Sequence, residues 1–511
     1  MTPARTLYNN DGTYLLSNAL HGGRPLTVAD VHDYVDRIHA TPVTTYLICT
    51  NSLQTYYYGA LDRPVGIADG SKHRPGPETR VHAESVAQYG EAVRTLHAQG
   101  TDIVTEVCRR CRELGLEVMT SQRLNDLHFT EPGVVEPAAQ SEFWLDHPEY
   151  RLGSRARAGW HSRGALNWEH DAVRAHSLAL ATEIISRFDS DGHELDFMRF
   201  PVYFPSASAE SCIPLMDSYI RAASEVSGRV AADRGRPRRL GVRIPCGLAR
   251  CRAIGLDPAA WVREGWVDFI TVSSFFSDRP VLAIRQFRRD LGEPDLPIYG
   301  AVDGGVASYP GRRTKTAGLH RSHAATRHAE GADGLYLFNY FFRDDTPPEV
   351  VGEAQVGHDP ALIAELADPA RLRGRNTVYT EGGSDSAYGS EPAFVLPVEL
   401  VEGAADFHFH LAEAGAVPTQ ATLFLRVSEG PQGWTLRVNH QDVTPVDADP
   451  ALYAIDTNAR PEDHTLAFAV PPACLRDGLN HIYAHRDPDA GTVLAADLVL
   501  RHGPTATHGW F

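Results

Sequence analysis

At 511 residues the chain is too long for one compact domain of ordinary size and fits a large barrel with one appended domain. With 43% hydrophobic and 22% charged residues it can bury a substantial core, which excludes a largely disordered protein. A formal charge of −17 excludes non-specific binding to nucleic acid or an anionic membrane, which is built from clustered positive charge, and points to a neutral partner. No apolar run approaches the roughly 18 residues of a membrane span, and the first residues lack a basic region followed by an apolar one. Seven cysteines is an odd number for a disulfide framework and agrees with a reducing compartment. The expectation is a soluble, cytoplasmic protein; a homo-oligomer is left open.

From residue 1 to about 345, apolar strand-like runs alternate with helix-like stretches, the pattern of a parallel sheet. The runs are Thr6 to Tyr8, Thr44 to Thr50, Glu117 to Arg123, His193 to Phe200, Leu240 to Pro245, Asp268 to Phe275, Pro297 to Val302 and Gly334 to Tyr340. Helical periodicity lies between them, as in Glu84 to Leu114, broken near Gly100, and in Ala172 to Arg187, where Val173, Leu178, Ala181, Ile184 and Ile185 make an apolar stripe. Eight such units predict an α/β fold of the (β/α)8 TIM-barrel type over residues 1–370. Should the short first run fail to be a strand, an open sheet would replace the barrel.

Barrel enzymes build their sites at the C-terminal ends of the strands, so the residues after each run carry the functional reading. They are Asn9, Asn10 and Asp11 after the first, Asn51 to Gln54 and Tyr56 to Tyr58 after the second, and Arg123, Asn125, Asp126 and His128 after the third. Arg243, Ser273, Asp303, Asn339 and Tyr340 follow from the later runs. Carboxylates, amides, arginines and aromatics on one rim are the mixture that stacks on sugar rings and hydrogen-bonds their hydroxyls, although Asn-Asp-Gly after a strand is also a plain turn. A lid-like insertion at about 128–168 holds Trp144, Trp160 and Trp168, three of the seven tryptophans. Loops of that length are usually binding loops or lids, and packing on a side wall is the alternative.

The chemistry is expected in the fourth run. Asp191-Gly192 is a turn signal, Pro201 ends the run, and alternation places Glu194, Asp196 and Met198 on one face and His193, Leu195 and Phe197 on the other. Two carboxylates in a buried strand are costly unless a polar lumen receives them. Glycosidic cleavage usually employs two carboxyl groups, about 5 to 5.5 Å apart for retention and about 6.5 to 9.5 Å for inversion. Glu194 and Asp196 project from the same wall, about 6.5 to 7 Å apart by strand rise. Asp196 is therefore expected to be one catalytic carboxylate, with Glu194 beneath it orienting Arg123, Arg199 or Arg243. Asp303 is the first choice for the partner across the barrel, and Asp126 the second.

The segment Asp191-Gly-His-Glu-Leu-Asp-Phe-Met-Arg-Phe-Pro201, with Gly115 to His128, resembles the bacterial barrels labelled family-10-like glycosyl hydrolases, whose strand reads Asp-Gly-x-x-Leu-Asp-Tyr/Phe-x-Arg-Tyr/Phe-Pro. The resemblance covers roughly residues 1 to 345 and implies a TIM-barrel glycoside hydrolase. It is similar, more distantly, to the Asp-Gly-Phe-Arg-x-Asp strand of the α-amylase clan, where the last Asp is the nucleophile; Glu194 stands where that clan has Arg.

Beyond about Pro369 the period changes. Residues 371–392 are expected to be a linker, and short alternating runs over 393–511 predict a β-sandwich of jelly-roll type. They are Phe394 to Leu400, Phe407 to Leu411, Ala421 to Val427, Trp434 to Val438, Thr465 to Val470, Asn480 to Ala484 and Val493 to Leu500. His408-Phe-His410 lacks a third ligand, and Cys108-Arg-Arg-Cys111 lacks a second pair at zinc spacing, so no metal is expected. The phosphate-binding Gly-x-Gly-x-x-Gly and the Gly-x-Ser-x-Gly elbow are missing, and no cofactor is expected. The expected function is a glycoside hydrolase or transglycosidase acting on a carbohydrate. The alternatives are a catalytically silent carbohydrate-binding barrel and a different, metal-dependent barrel enzyme.

Overall fold

The computed structural model describes residues 5–17, 23–67, 80–130, 137–156, 161–275, 278–307, 312–340, 360–383, 395–447, 463–487 and 490–503. Among these, eight parallel strands close into a barrel: β1 (Arg5–Asn10), β2 (Thr45–Cys49), β3 (Glu117–Arg123), β4 (Gly192–Asp196), β5 (Arg239–Pro245), β6 (Phe269–Ser273), β7 (Ile298–Asp303) and β8 (Gly334–Phe338). β1 pairs with β8, Leu7 opposite Tyr336, so the shortest run is the strand that shuts the cylinder. The crossovers carry helices α1 (Val28–His39), α2 (Arg80–Ala98), α3 (Ile103–Leu114), α4 (Asp171–Arg187), α5 (Ile213–Arg234), α6 (Ile284–Leu291) and α7 (Ala317–Ala329).

Local chemistry sets the helix ends. Thr27 and Asp30 form a reciprocal capping box on α1, Asp102 caps α3, and Gly115, in the left-handed region, ends it. The expected break at Gly100 falls between α2 and α3.

Inside the barrel, Leu7, Leu47, Met119, Phe269, Tyr299, Ala301, Tyr336 and Phe338 make an apolar filling. A Cβ at Gly241 would fall within van der Waals distance of the Phe269 ring, so glycine on β5 is what lets that ring fill the lumen. Polar residues lie above, and they form the rim.

Strand β4 is shorter than its apolar run. It ends at Asp196 because that carboxylate accepts the backbone N–H of Met198 (2.8 Å), an aspartate turn that competes with the ladder. Met198 therefore does not share the lumen face with Glu194 and Asp196; it packs with Leu127, Phe200 and Phe275. Likewise β8 ends at Phe338, and Asn339 has φ 55°.

The C-terminal sheets are antiparallel. One contains β9 (Thr377–Glu381), β11 (Gln420–Val427), β13 (His464–Val470) and β15 (Thr492–Arg501), with Val398–Glu399 and Thr444–Val446 at its margins. The other contains β10 (Ala404–Leu411), β12 (Trp434–Val438), β14 (Gly478–Arg486) and Gln441–Asp442. Their inner faces share one core, Phe407, Phe409, Leu436 and Ile482 against Leu423, Leu425, Phe468 and Leu498, which makes a sandwich. The stretch read as linker holds a helical turn, Pro369–Leu372, and strand β9, which pairs with β15. Its Thr-Val-Tyr-Thr-Glu alternation was hidden between arginines and glycines. The remainder of that linker, 384–392, and Phe394 lie outside the described residues.

The sandwich is joined to the barrel by packing. Val306, just past β7, and Leu319 on α7 are buried against Val378, Phe424, Ala467 and Val499. The Ser322 hydroxyl of α7 donates to the Val378 carbonyl (2.6 Å).

Candidate active site

At the C-terminal end of the lumen, Asp196 is 1% exposed. One oxygen accepts the Met198 N–H and the other accepts Arg243 Nη1 at 3.1 Å. Arg243, from the next strand, also donates to the Ser273 hydroxyl (2.8 Å), and its guanidinium lies 3.8 Å from the Phe338 ring centre. The guanidinium of Arg199 approaches the same ring at 5.5 Å. Phe338 is thus common ground for two buried cations.

Glu194, one inward position deeper, has a different setting. Its Oε1 accepts the Ser121 hydroxyl (2.8 Å) and the Tyr336 hydroxyl (2.7 Å), and Tyr336 in turn accepts Asn9 Nδ2 (2.7 Å). Its Oε2 is buried with no hydrogen-bond partner among the described residues. Burial, then the like charge of Asp196, pushes the Glu194 carboxyl above the ordinary range, against the pull of these donors and of Arg243. The expectation that Glu194 orients an arginine is corrected: its hydrogen-bond donors are neutral, and the arginine bonds to Asp196.

A second network follows β3. Arg123 donates to Asp126 (3.0 Å) and approaches Asp11 at 3.5 Å. The other Asp126 oxygen accepts both the backbone N–H and Nδ1 of His128, at 2.8 and 2.6 Å. Burial raises the Asp126 carboxyl, but His128, Arg123 and Arg199 together outweigh it and hold the group well below the usual range. Arg199 Nη2 lies 3.4 Å from His128 Nε2. Asp11 closes the network by accepting the Thr13 hydroxyl and the Tyr14 N–H.

Asp303, at the end of β7, is 3% exposed, accepts the Gly305 N–H (3.0 Å), and donates its own N–H to Asp278 (3.2 Å). Asp278 is the centre of a buried cluster: it accepts Lys315 Nζ, His323 Nδ1 (2.9 Å) and Arg327 Nη2 (2.6 Å). Burial raises Asp278, and these three groups override it to hold it well below the ordinary range. Burial brings Lys315 down to about 8 against the attraction of Asp278.

The structure brings together Asn9, Asp11, Arg123, Asp126, His128, Glu194, Asp196, Arg199 and Arg243, with Asp303 at the end of β7. Asn125, Trp144 and Tyr340 have other settings. Asn125 ties loops together, donating to the Leu166 and Val202 carbonyls and accepting the Leu166 N–H. Trp144 is 2% exposed, donates to the Gly164 carbonyl (2.7 Å) and is covered by Arg151. It packs with Trp168, Tyr203 and Leu195 on the outer side of β4, as a side-wall residue rather than a sugar platform. Tyr340 is in the core beside α1 and α7, edge-on to His320, and Asn339 turns the chain after β8. Trp160 lies outside the described residues. Sequence reasoning passed over Ser121, Tyr336 and Phe338, which period-2 alternation from neighbouring lumen positions points to, and Asp278 and Lys315, which carry no local signal.

No protein-family model matches the chain, and no curated protein does. Among solved structures it is similar to alpha-L-fucosidase isoenzyme 2 from Paenibacillus thiaminolyticus, at 11% identity over 72% of this chain and 49% of that one, with a TM-score of 0.39. It is similar to the GH36 alpha-galactosidase AgaB from Geobacillus stearothermophilus (11% identity, 92% of this chain and 56% of that one, TM-score 0.37). It is also similar to the glycoside hydrolase domain of PgaB (BpsB) from Bordetella bronchiseptica (9% identity, 66% and 94%, TM-score 0.36). The chain spans about half the length of the fucosidase and of the galactosidase. Likenesses this distant leave function to be read from the site's own residues.

Proposed function

We propose that the chain is a glycoside hydrolase or transglycosidase acting on an O-glycosyl bond, with Asp196 as its anionic carboxylate. The observation that carries this reading is the opposed setting of two carboxyl groups on one strand. Asp196 is paired with Arg243, whereas Glu194, among the described residues, accepts neutral hydrogen-bond donors, and burial raises its carboxyl above the ordinary range. A glycosidic bond breaks through a cation-like transition state, and a carboxylate fixed in a water-poor lumen stabilises that positive charge. The partner that handles the proton must reach the bond from another strand, and the candidates are Asp303 and the Asp126–His128 pair. We take residues 1–370 as the catalytic unit and place the start of the sandwich at β9. The seven free cysteines support a cytoplasmic location.

Asp196→Asn in the full chain, assayed on a panel of aryl glycosides, is expected to lose roughly 10² to 10⁴ in turnover while remaining folded. Wild-type turnover by that variant would end the assignment. A silent carbohydrate-binding barrel is the second reading, favoured by the fact that both Asp196 oxygens are already bonded within the protein. In that case the wild type would bind sugar without turnover, and Asp196→Asn would bind equally well.

A further inference from the structure

His128 is more open than the charged groups around it, of which Asp11, at 15%, comes nearest. Its side chain is 34% exposed, whereas those of Asp126, Arg123, Arg243 and Asp196 are at most 3% exposed. A ligand arriving at the rim can reach it. Its two ring nitrogens have opposite neighbours: Nδ1 is 2.6 Å from Asp126, which is itself fixed by Arg123, and Nε2 faces Arg199 at 3.4 Å. These contacts agree on one tautomer, with Nδ1–H donating to the carboxylate and the Nε2 lone pair turned to the guanidinium. Asp11, which approaches Arg123, and Asp196, whose charge acts on Arg199, also belong to this network.

A separate observation points to the same place. Phe129 and Phe200, the residues immediately after His128 and Arg199, have φ of 61° and 64°, a region that bulky side chains rarely occupy. Their rings lie 6.2 and 5.3 Å from the His128 ring. Such backbone conformations persist where the surroundings hold side chains in a required place, and they cluster at functional sites.

Building on the glycosidase reading, we infer that His128 Nε2 is the proton carrier of the reaction, and that Asp126 is its positioning residue. As the glycosidic C–O bond breaks, its electron pair stays on the departing oxygen, and that oxygen takes from Nε2 a proton that the ring has first drawn from water in place of the Arg199 contact. The proton is restored from the O–H of the water or acceptor sugar whose oxygen bonds to the anomeric carbon. The 3.4 Å Arg199 contact is long enough for a substrate oxygen to replace. Asp126, held ionised, does not supply the proton itself. Asp303 differs in being almost enclosed, with one oxygen taken by Gly305 N–H.

The test compares two leaving groups on one sugar, chosen as a sugar the wild type turns over. His128→Gln in the full chain is expected to lower kcat/KM by about 10²-fold or more on the phenyl glycoside, whose leaving group needs a proton. On the 2,4-dinitrophenyl glycoside, which leaves without one, the loss should stay below about tenfold. The variant should also lose one limb of the wild-type pH profile. Asp126→Asn should displace that limb with a smaller loss, which a purely structural role would not do. An equal loss on both leaving groups, or none, overturns the inference, as does the leaving-group signature appearing in Asp303→Asn instead. Turnover that depends on Asp196 but not on His128 overturns this inference alone. A wild type that turns over no glycoside overturns the glycosidase reading as well.

Discussion

Glu194 and Asp126 are both fully enclosed carboxyl groups, yet their neighbours move them in opposite directions, and stability should record both. Glu194 is pushed up by burial and by Asp196, so its contribution is present below its unfolded pKa of about 4.3 and is lost as pH rises above it. Glu194→Gln keeps an oxygen for Ser121 and Tyr336 and removes the titration. Thermal melts should show the variant gaining on the wild type between pH 4.5 and 8; a parallel decline would show that Glu194 does not titrate there. Asp126 is held low by His128, Arg123 and Arg199, so its contribution is present above about pH 3.9 and is lost as pH falls. Asp126→Asn should therefore cost about 3 to 5 kcal/mol near pH 7, the scale of breaking a buried ion pair, and less near pH 3. Urea titrations at the two pH values check the sign.

At the scale of elements, α7 links the sandwich to the rim. It offers Leu319 and Ser322 to β9 and β11, and it sends His323 and Arg327 to Asp278, which receives the N–H of Asp303. Phe424→Ala on β11 should open a cavity beside Val306 and cost about 3 to 5 kcal/mol. Amide exchange in the peptide 298–307 should speed up in that variant, and unchanged exchange there would show that the sandwich does not steady β7. The eight barrel strands and helices α3 and α4 were legible because their apolar residues recur at a strand or helix spacing, and α3 also carries cap residues at both ends. The Asp196–Arg243 pair was half legible: both residues were singled out, but which carboxylate the arginine would choose depends on strand register, Asp196 opposite Arg243 and Glu194 opposite Gly241. The Asp278 cluster was not legible, since its members come from separate segments, and β9 was masked by linker-like flanks.

Over the whole molecule, barrel and sandwich share an apolar interface rather than a tether, so a barrel fragment ending before Thr377 would expose Val306 and Leu319. Such a fragment is expected to be less soluble than the full chain, and sedimentation of the two checks it. Protease cleavage within Thr377–Glu381 is not expected in the folded protein, because β9 is hydrogen-bonded to β15 along its length. That pairing bears on the order of events during synthesis. β15 lies between β9 and β11, although among the described residues it is the last of the sandwich strands along the chain. A ribosome that has released β9 and β11 has made the two flanks of a sheet whose middle does not yet exist. Until Thr492–Arg501 emerges, both flanks present open edges, the kind that invites pairing with other chains. Stalled or shortened nascent chains lacking that strand should therefore depend on chaperones far more than the finished protein does.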